Sequence, residues 1–596
     1  MVRIGGASGF WGDSSVAAPQ LVRRGKIDYL TFDYLAEITM SILARARAKD
    51  PSAGWATDFV DSALAGLLPE IAARGIRVLA NAGGMNPRGC AAALAARAAE
   101  AGVAPKIAFV EGDDVLPLAK QRLPQRLLSA NAYLGAFPIA AALDAGAQIV
   151  ITGRCVDSAL PLAALIHEFG WRRDDWDRLA AGSLVGHILE CGAQGSGGLH
   201  TDWERVERWD DIGYPIAECE PDGSFVVTKA PGTGGLVVPA AVAEQMLYEI
   251  GDPGAYVLPD VICDFTQVTV TAAGEQRVAV AGAKGRPPTN EYKVSCTYVD
   301  GLRSIGTLVI VGIDAAAKAR RSAEAILART RTIFRERGLA DYRDTLIEII
   351  GAESIYGPHS RAGAAREVLM RLSVEHDDPR ALEIFGREIS PAGTSWSPGT
   401  TGGAAGGGRP KPFPVVKLAS IFLPKSAVEA YVELDGTRTR IDCTPPATSE
   451  LASPPGARAS GPPAAAERAA DATGNGADTH DVPLVRLAWA RSGDKGDIAN
   501  IGVIARSPEL LELLRAQLTP ERVAAYFRHL VRGPVRRYDL PGIHGMNFVL
   551  EEALGGGGTA SMRIDPLAKG MAQMLLDFPI SVPAHVAARF GEEIHA

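Results

Sequence analysis

Apolar and polar positions in the first part of the chain alternate between two rhythms. Val2–Ile4 is a short apolar strand that runs into a glycine loop, and Ile27–Leu35 (IDYLTFDYL) is a second β-rich run. Positions 36–48 and 57–74 carry apolar residues at helical spacing. IRVLA at 76–80 predicts a buried strand ending in Asn81-Ala82-Gly83-Gly84, followed by an Ala-rich helix over 88–101. KIAFV at 106–110 ends in Glu111-Gly112-Asp113, and after a helical region AQIVIT at 147–152 ends in Gly153-Arg154; Ser158–Phe169 is then helical. Strands alternating with helices predict an α/β domain with a mainly parallel sheet and right-handed crossovers.

The rhythm changes from about residue 200 to 315. FVVTKAP, DVICDFTQVTVTAA, QRVAVAGA, YKVSCTYVDG and LRSIGTLVIVG are β-rich and separated by turn residues, which predicts an antiparallel insertion or a β-rich subdomain. Helices are expected at about 314–337 and 361–373. The Gly/Thr/Ser-rich run 391–409 is too long for a simple connection and is read as a lid, a binding loop or disorder. KLASIFLP and VEAYVEL then close the domain at about 443. From 444 to 482 the chain is rich in Pro, Ala, Gly and Ser and nearly lacks large apolar residues, so it cannot offset its ordering entropy and is expected to be a flexible linker. Residues 483–596 read as strand (484–490), strand (500–505), helices (507–517 and 519–530), strands around 534–551 and 559–564, and a helix (566–577): a small α+β domain.

Composition narrows the classes. The chain has 596 residues, 47% apolar and 22% charged, with a formal net charge of −8. Phosphate binding in bulk needs a basic face, so no nucleic-acid partner is expected. The N-terminus, MVRIGGASGFWGDSS, does not read as a signal peptide, and no run of 18 or more apolar residues predicts a membrane span; a cytoplasmic location is expected. The seven cysteines are scattered without CxxC spacing, so they read as reduced thiols, with no disulfide frame and no metal site.

Chemistry is expected where the parallel strands end, because ligands of open α/β sheets bind outside the carboxyl ends of their strands. The loop Gly5–Asp13 follows the first strand; Gly6, Ser8, Gly9 and Asp13 are its candidates. It fits neither GxGxxG nor a Walker loop, and it also fits a tight turn around Trp11. Asn81, Gly83, Gly84 and Arg154 would share that edge, Arg154 as the fork for a carboxylate or phosphate or as the salt-bridge partner of Asp157. Asp33 and Glu37 face the same cleft or cap a helix. His187 and Glu190, at i and i+3, can meet on one helix face as an acid/base pair, with Asp157 as a third catalytic candidate. Cys191 lies beside them. Lys284 and Arg286 in GAKGRP, like Lys229 in TKAPGTGG, offer a cation beside open backbone or form plain turns. In the small domain, Arg491, Asp494, Lys495, Asp497 and Asn500 form a dense charged turn, which is read as a site loop, an interdomain contact or a solvated turn. No GxSxG elbow, HExxH or kinase set occurs.

The strings IGGASGFWGD (4–13), DYLTFDYLAEITM (28–40), NAGGMNP (81–87), ITGRCVDSAL (151–160), GHILECGAQ (186–194) and GAKGRPPTNEYKVS (282–295) together resemble the acyclic terpene utilisation (AtuA) family over roughly residues 2–442. ARSGDKGDIANIG (490–502) resembles the ferredoxin-fold domain that often accompanies it. The resemblance implies a place in breakdown of citronellol- and geraniol-type terpenes, through branched acyl-CoA thioesters. It carries over no catalytic residue. The expectation is a hydratase or lyase on an acyl-CoA or free acid, with no cofactor beyond CoA as part of the substrate and a homo-oligomer left open. The alternatives are a non-catalytic assembly component of a carboxylase or dehydrogenase complex, and a hydrolase holding a metal-bound water on Asp494 and Asp497.

Overall fold

The computed structural model of the protein describes residues 1–402, 408–446 and 479–590. Five short strands lie parallel in the spatial order Val2–Gly6, Tyr29–Phe32, Arg77–Ala80, Ile149–Thr152 and Ile107–Glu111. Their near-continuous apolar runs follow from burial on both faces. Leu30, Val78 and Ile149 join one core with Leu21, Leu68 and Leu94 from the helices Ala17–Arg24, Leu68–Arg74 and Pro87–Glu100. Tyr29, Leu79 and Val150 point the other way. They join Ile139, Leu165 and Leu184 from Phe137–Asp144, Ala159–Phe169 and Trp176–Leu189.

Antiparallel strands extend this centre to an 11-stranded sheet. Pro215–Cys219, Phe225–Lys229, Arg277–Ala281 and Thr269–Gly274 continue one side, and Ala430–Leu434 and Thr437–Ile441 the other. The β-rich run from about 200 to 315 is therefore divided: part extends the main sheet, part forms a three-stranded sheet, and Glu291–Val311 founds a second large sheet. That strand has 21 residues. Its first half pairs with both Leu127–Ala132 and Phe413–Pro424, and its second half pairs with Glu367–His376.

Several local expectations need correction. The segment expected as a helix over 361–373 is mostly the strand Glu367–His376, whose Val368, Met370, Leu372 and Val374 are buried in a period of two. The span 57–74 breaks into a wide turn, Phe59–Leu64, and the helix Leu68–Arg74, which restarts at Pro69. The region around 559–564 holds only a short 3-10 turn, Gly558–Ala560, and the helix expected over 566–577 shrinks to Met571–Leu575. The run 391–409 contributes the short helix Ala392–Ser395 and the strand Thr400–Gly402, which pairs with Val309 and Ile310; its residues 403–407 lie outside the described residues. So does most of the expected linker, from 447 to 478.

The small domain is a four-stranded antiparallel sheet, in the order Ala488–Lys495, Ile498–Ala505, Gly545–Leu550, Val535–Leu540, with helices Leu511–Gln517 and Pro520–Tyr526 packed into its own core. It docks on the large domain beside the helix Pro239–Leu247. Asn500 donates to Leu247 O at 2.7 Å, and Asn547 donates to Ile250 O and Gly251 O at 2.8 and 2.7 Å.

Candidate functional site

The ends of the parallel strands meet at one edge and are tied to each other through Asp33 and Asn81. Ser8 Oγ donates to Asp33 O at 3.2 Å. The Asn81 amide donates to the Asp33 carboxylate and accepts from Tyr34 N at 2.7 Å. Burial, aided by the charges of Asp157 and Glu190, pushes the Asp33 carboxyl well above its usual range despite Arg154. Arg154, 3% exposed, donates to Leu35 O at 2.7 Å and to Asp157 at 2.6 Å. Its guanidinium stands 4.3 Å from the centre of the Tyr133 ring. Tyr133 in turn donates to Glu37, the first residue of the helix Glu37–Lys49. Burial works to raise Glu37, but Arg154 and Lys293 outweigh it and hold the carboxyl down at about 2. Arg154 thus organises carboxylates of the protein itself.

The glycines of the first loop serve close packing. A Cβ on Gly6 would lie 2.5 Å from Leu189 O, and one on Gly9 would lie 2.8 Å from the Cys191 backbone. The loop can therefore lie flat against the end of the helix Trp176–Leu189, which carries His187 and leads into Glu190. Asp13 closes the loop by accepting from Gly9 N at 2.9 Å and contacts Tyr214 at 3.2 Å. Gly83 packs against Thr152 O and Pro87, and Gly84 (φ +50°) packs against Leu43, so these two shape the loop from behind.

His187 Nδ1 lies 2.9 Å from Glu190 Oε1. The ring is 1% exposed, and its Nε2 is buried without a hydrogen-bond partner. Glu190 is the member of the pair nearer the cleft. Burial raises its carboxyl above the ordinary value, while His187 works against that rise. The neighbouring Cys191 thiol is raised well above its usual value by burial, so it is kept as an unreactive thiol.

The small domain forms the facing wall. Lys495 reaches Glu249 at 2.8 Å, and Lys569 lies 3.4 Å from Glu249 and 3.9 Å from Asp494. Lys495 pairs with Glu249 and lies near Tyr256 and Asp157; these partners outweigh desolvation and raise its ammonium well above the usual lysine value. Burial and the Glu249 charge push the Asp494 carboxyl up to about 7. Lys293, from the second sheet, completes the floor beside Tyr133, Glu37 and Arg154.

The structure thus brings Ser8, Asn81, Arg154, Asp157, His187, Glu190, Asp494 and Lys495 into one largely buried polar cluster where the small domain meets the strand ends. It places others elsewhere. Lys284 pairs with Asp177 at 2.8 Å and Arg286 donates to Gly254 O at 2.7 Å, both on the three-stranded sheet. Lys229 donates to Thr233 O in a plain turn. Arg491 donates to Gly198 O and Leu199 O across the domain boundary, where Asn500 also lies. Asp497 is occupied as a cap, accepting from Leu554 N and Gly556 N. Tyr133, Glu249, Tyr256, Lys293 and Lys569 were missed from sequence. Lys293 alone left a trace, as the polar position in the alternating run EYKVSCT.

The fold and the cleft define a two-domain α/β protein with a charge-lined site at its strand ends, closed by a small ferredoxin-like domain. The chain belongs to the acyclic terpene utilisation family: the model for Acyclic terpene utilisation family protein AtuA matches residues 2–434, and that for the AtuA ferredoxin-like domain matches 482–581. The family's role is catabolic. No curated protein and no solved structure matches the chain. Among the described residues, no helix is long and apolar enough to cross a membrane.

Proposed function

We propose that this protein is a cytoplasmic enzyme of the branched-acyl stage of terpene breakdown, a hydratase or lyase acting on an α,β-unsaturated acyl-CoA or its free acid. The observation that carries the reading is Glu190: a carboxyl raised by burial, set in a cleft whose other walls present amines. A general base works best with a pKa near the operating pH, and a cation aimed at the carbonyl oxygen stabilises the enolate as it forms. Glu190 takes the proton of an attacking water. Lys495 receives the developing oxyanion, and Asp494 returns a proton to carbon. His187 lies behind Glu190 and acts as a positioning residue, while Arg154 holds Asp157 in place.

The test is a panel of branched enoyl-CoA thioesters and their free acids, followed by loss of the conjugated enoyl absorbance. Glu190→Gln is expected to lower kcat by about 10²-fold or more with the fold intact. Wild-type turnover in that variant removes Glu190 from the chemistry. The assembly reading draws on a different feature, the exposed Trp203 and Trp209, whose rings stack edge-on at 6.0 Å. Stable co-purification with a carboxylase or dehydrogenase, without turnover of its own, would favour it.

A further inference from the structure

The strand Asp344–Ile350 lies at the margin of the second sheet, and among the described residues it pairs only with Glu367–His376. Its outer edge is closed at both ends by side chains. Asp344 accepts from Thr345 N at 2.7 Å, while Ser354 Oγ accepts from Ile349 N at 2.6 Å and donates to Ile349 O at 3.1 Å. Backbone groups of an antiparallel strand turn to its two edges by alternate residues, so Ile347 aims its N–H and carbonyl the same way as Ile349. Among the described residues these two groups have no partner. The Ile347 side chain packs on the opposite face, against the core of Leu308 and Ile326. Its backbone therefore lines a cavity of about 570 Å³ between this strand and the small domain. That size lies within the roughly 300–1,000 Å³ of small-molecule sites, which favour domain boundaries.

The cavity has an apolar wall, to which Leu346, Ile355, Leu530 and Met562 contribute. Two of its carboxylates are spoken for: Glu348 by Arg371 and Ile564 N, and Asp497 by Leu554 N and Gly556 N. Arg563 is held by Ala553 O and Leu530 O. Arg532 is exposed, and among the described residues its guanidinium has no hydrogen-bond or ion-pair partner. It stands close enough to Arg563 to repel that charge, so the two mark a positive corner. Gly555, at φ +63°, brings backbone against the same corner; a Cβ there would lie 3.4 Å from Arg563 Nε. Glu552, exposed at the rim, repels an anion and so directs it to the arginines.

We propose that this cavity binds a small extended chain that carries two secondary amides and ends in an anionic group. The unit between the two amides docks on Ile347 as an added strand does. One amide carbonyl accepts from Ile347 N, and the N–H of the other donates to Ile347 O. The carboxylate or phosphate lies at Arg532 and Arg563, whose planar forks suit either anion. The chain between packs on Leu346 and Leu530. A short acylated peptide and a phosphopantetheine arm share this chemistry. The site goes beyond the Glu190 reading and does not depend on it. Because its walls come from both domains, the bound ligand also holds the small domain against the second sheet.

The experiment is calorimetric titration of the full-length protein with N-acetyl-dialanine and with 4′-phosphopantetheine, alongside hydrogen exchange of the peptide covering 344–350. At least one probe should bind with a Kd of about 1 mM or tighter, and which one binds identifies the source of the ligand. Bound probe should slow exchange in 344–350. Arg532→Gln should weaken binding about tenfold, as loss of a charge-assisted bond does. Methylating the probe's first amide nitrogen, which removes the donor to Ile347 O, should also cost about tenfold. Leu346→Trp, which fills the cavity, should abolish binding. If that variant fails to fold, Arg532→Gln and the methylated probe decide, since Arg532 is exposed and unpaired. Failure of both probes to bind, equal binding of the methylated probe, or unchanged affinity in Arg532→Gln overturns the proposal. So does inorganic phosphate binding as tightly as the probes, which would mark a simple anion site. Glu190→Gln should bind the probes as the wild type does. Loss of binding there would place the ligand at the other site and sink this one, while failure of the probes leaves Glu190-dependent turnover untouched.

Discussion

At the scale of single residues, the cleft is a set of buried carboxylates held apart by their surroundings. Asp113 shows how far environment can move one. It is 4% exposed and accepts from Arg154 N at 2.9 Å and Asn131 Nδ2 at 2.8 Å, yet burial outweighs both bonds and pushes it up to about 7. Gly153 permits this, since a Cβ there would strike the carboxylate. Between about pH 4 and 7 the folded state therefore binds a proton that the unfolded chain has lost. The stabilisation is full below the unfolded value and lost as pH rises through 7, at ~1.4 kcal/mol per pKa unit. Asp113→Asn, which mimics the protonated side chain, should remove this dependence. Urea midpoints should show the wild type losing ground to the variant by a few kcal/mol between pH 4 and 8, at that rate per unit; parallel curves would show that Asp113 ionises normally. Asp113, Asn81 and Arg154 could be located from sequence because each directly follows an apolar strand. Lys293 and Glu249 could not, because they reach the cleft from another sheet and a later loop.

At the scale of elements, the helix Trp176–Leu189 positions Glu190, and the strand Val2–Gly6 positions the helix. The contact is chiefly with backbone: a Cβ on Gly6 would lie 2.5 Å from Leu189 O, with Leu189 Cβ at 3.2 Å behind it. A carbonyl inside a packed helix end cannot give way as a flexible side chain does. Gly6→Ala is thus expected to destabilise by about 1–3 kcal/mol, the usual cost of overpacking, and to lower kcat as Glu190 shifts. Gly66→Ala, where an added Cβ meets nothing within 4 Å, is the control and should stay near wild type. A denaturation midpoint for Gly6→Ala equal to that of Gly66→Ala would show that the loop can slide. The same strand–helix units were the legible ones, since each is a short apolar run bounded by polar turns. Glu367–His376 was misread because its apolar positions are interleaved with Arg and Glu, and Leu127–Ala132 was missed because Ala, Ser and Asn mute the β signal.

At the scale of the whole molecule, the cleft exists only while the small domain stays docked, for Asp494, Lys495 and Lys569 all come from it. Two buried asparagines contribute to the docking, beside Arg491, which reaches Gly198 O and Leu199 O, and Arg303, which reaches Thr559 O and Ser561 O. Asn500 donates to Leu247 O and accepts from Glu249 N at 2.9 Å, and Asn547 satisfies two more carbonyls while accepting from Asn500 at 2.9 Å. Each domain buries a core of its own, and Ile504, Leu540 and Ile543 of the small domain also join the core of the large one. Asn547→Ala leaves the buried carbonyl of Ile250 and the partly buried one of Gly251 without that donor, at about 1–3 kcal/mol for the buried group. Calorimetry should then resolve two unfolding transitions in place of one, and turnover should fall although every residue of the large domain is intact. Arg506→Ala removes a mostly buried pair with Asp202 that also crosses the boundary, and should cost about 1–3 kcal/mol. If Asn547→Ala leaves one transition and full activity, the charged hairpin is held by something other than this seam. Docking would then be carried by the other contacts across the boundary, such as Arg491 on Gly198 O and Leu199 O, and Lys495 would keep its partner Glu249 without the asparagines.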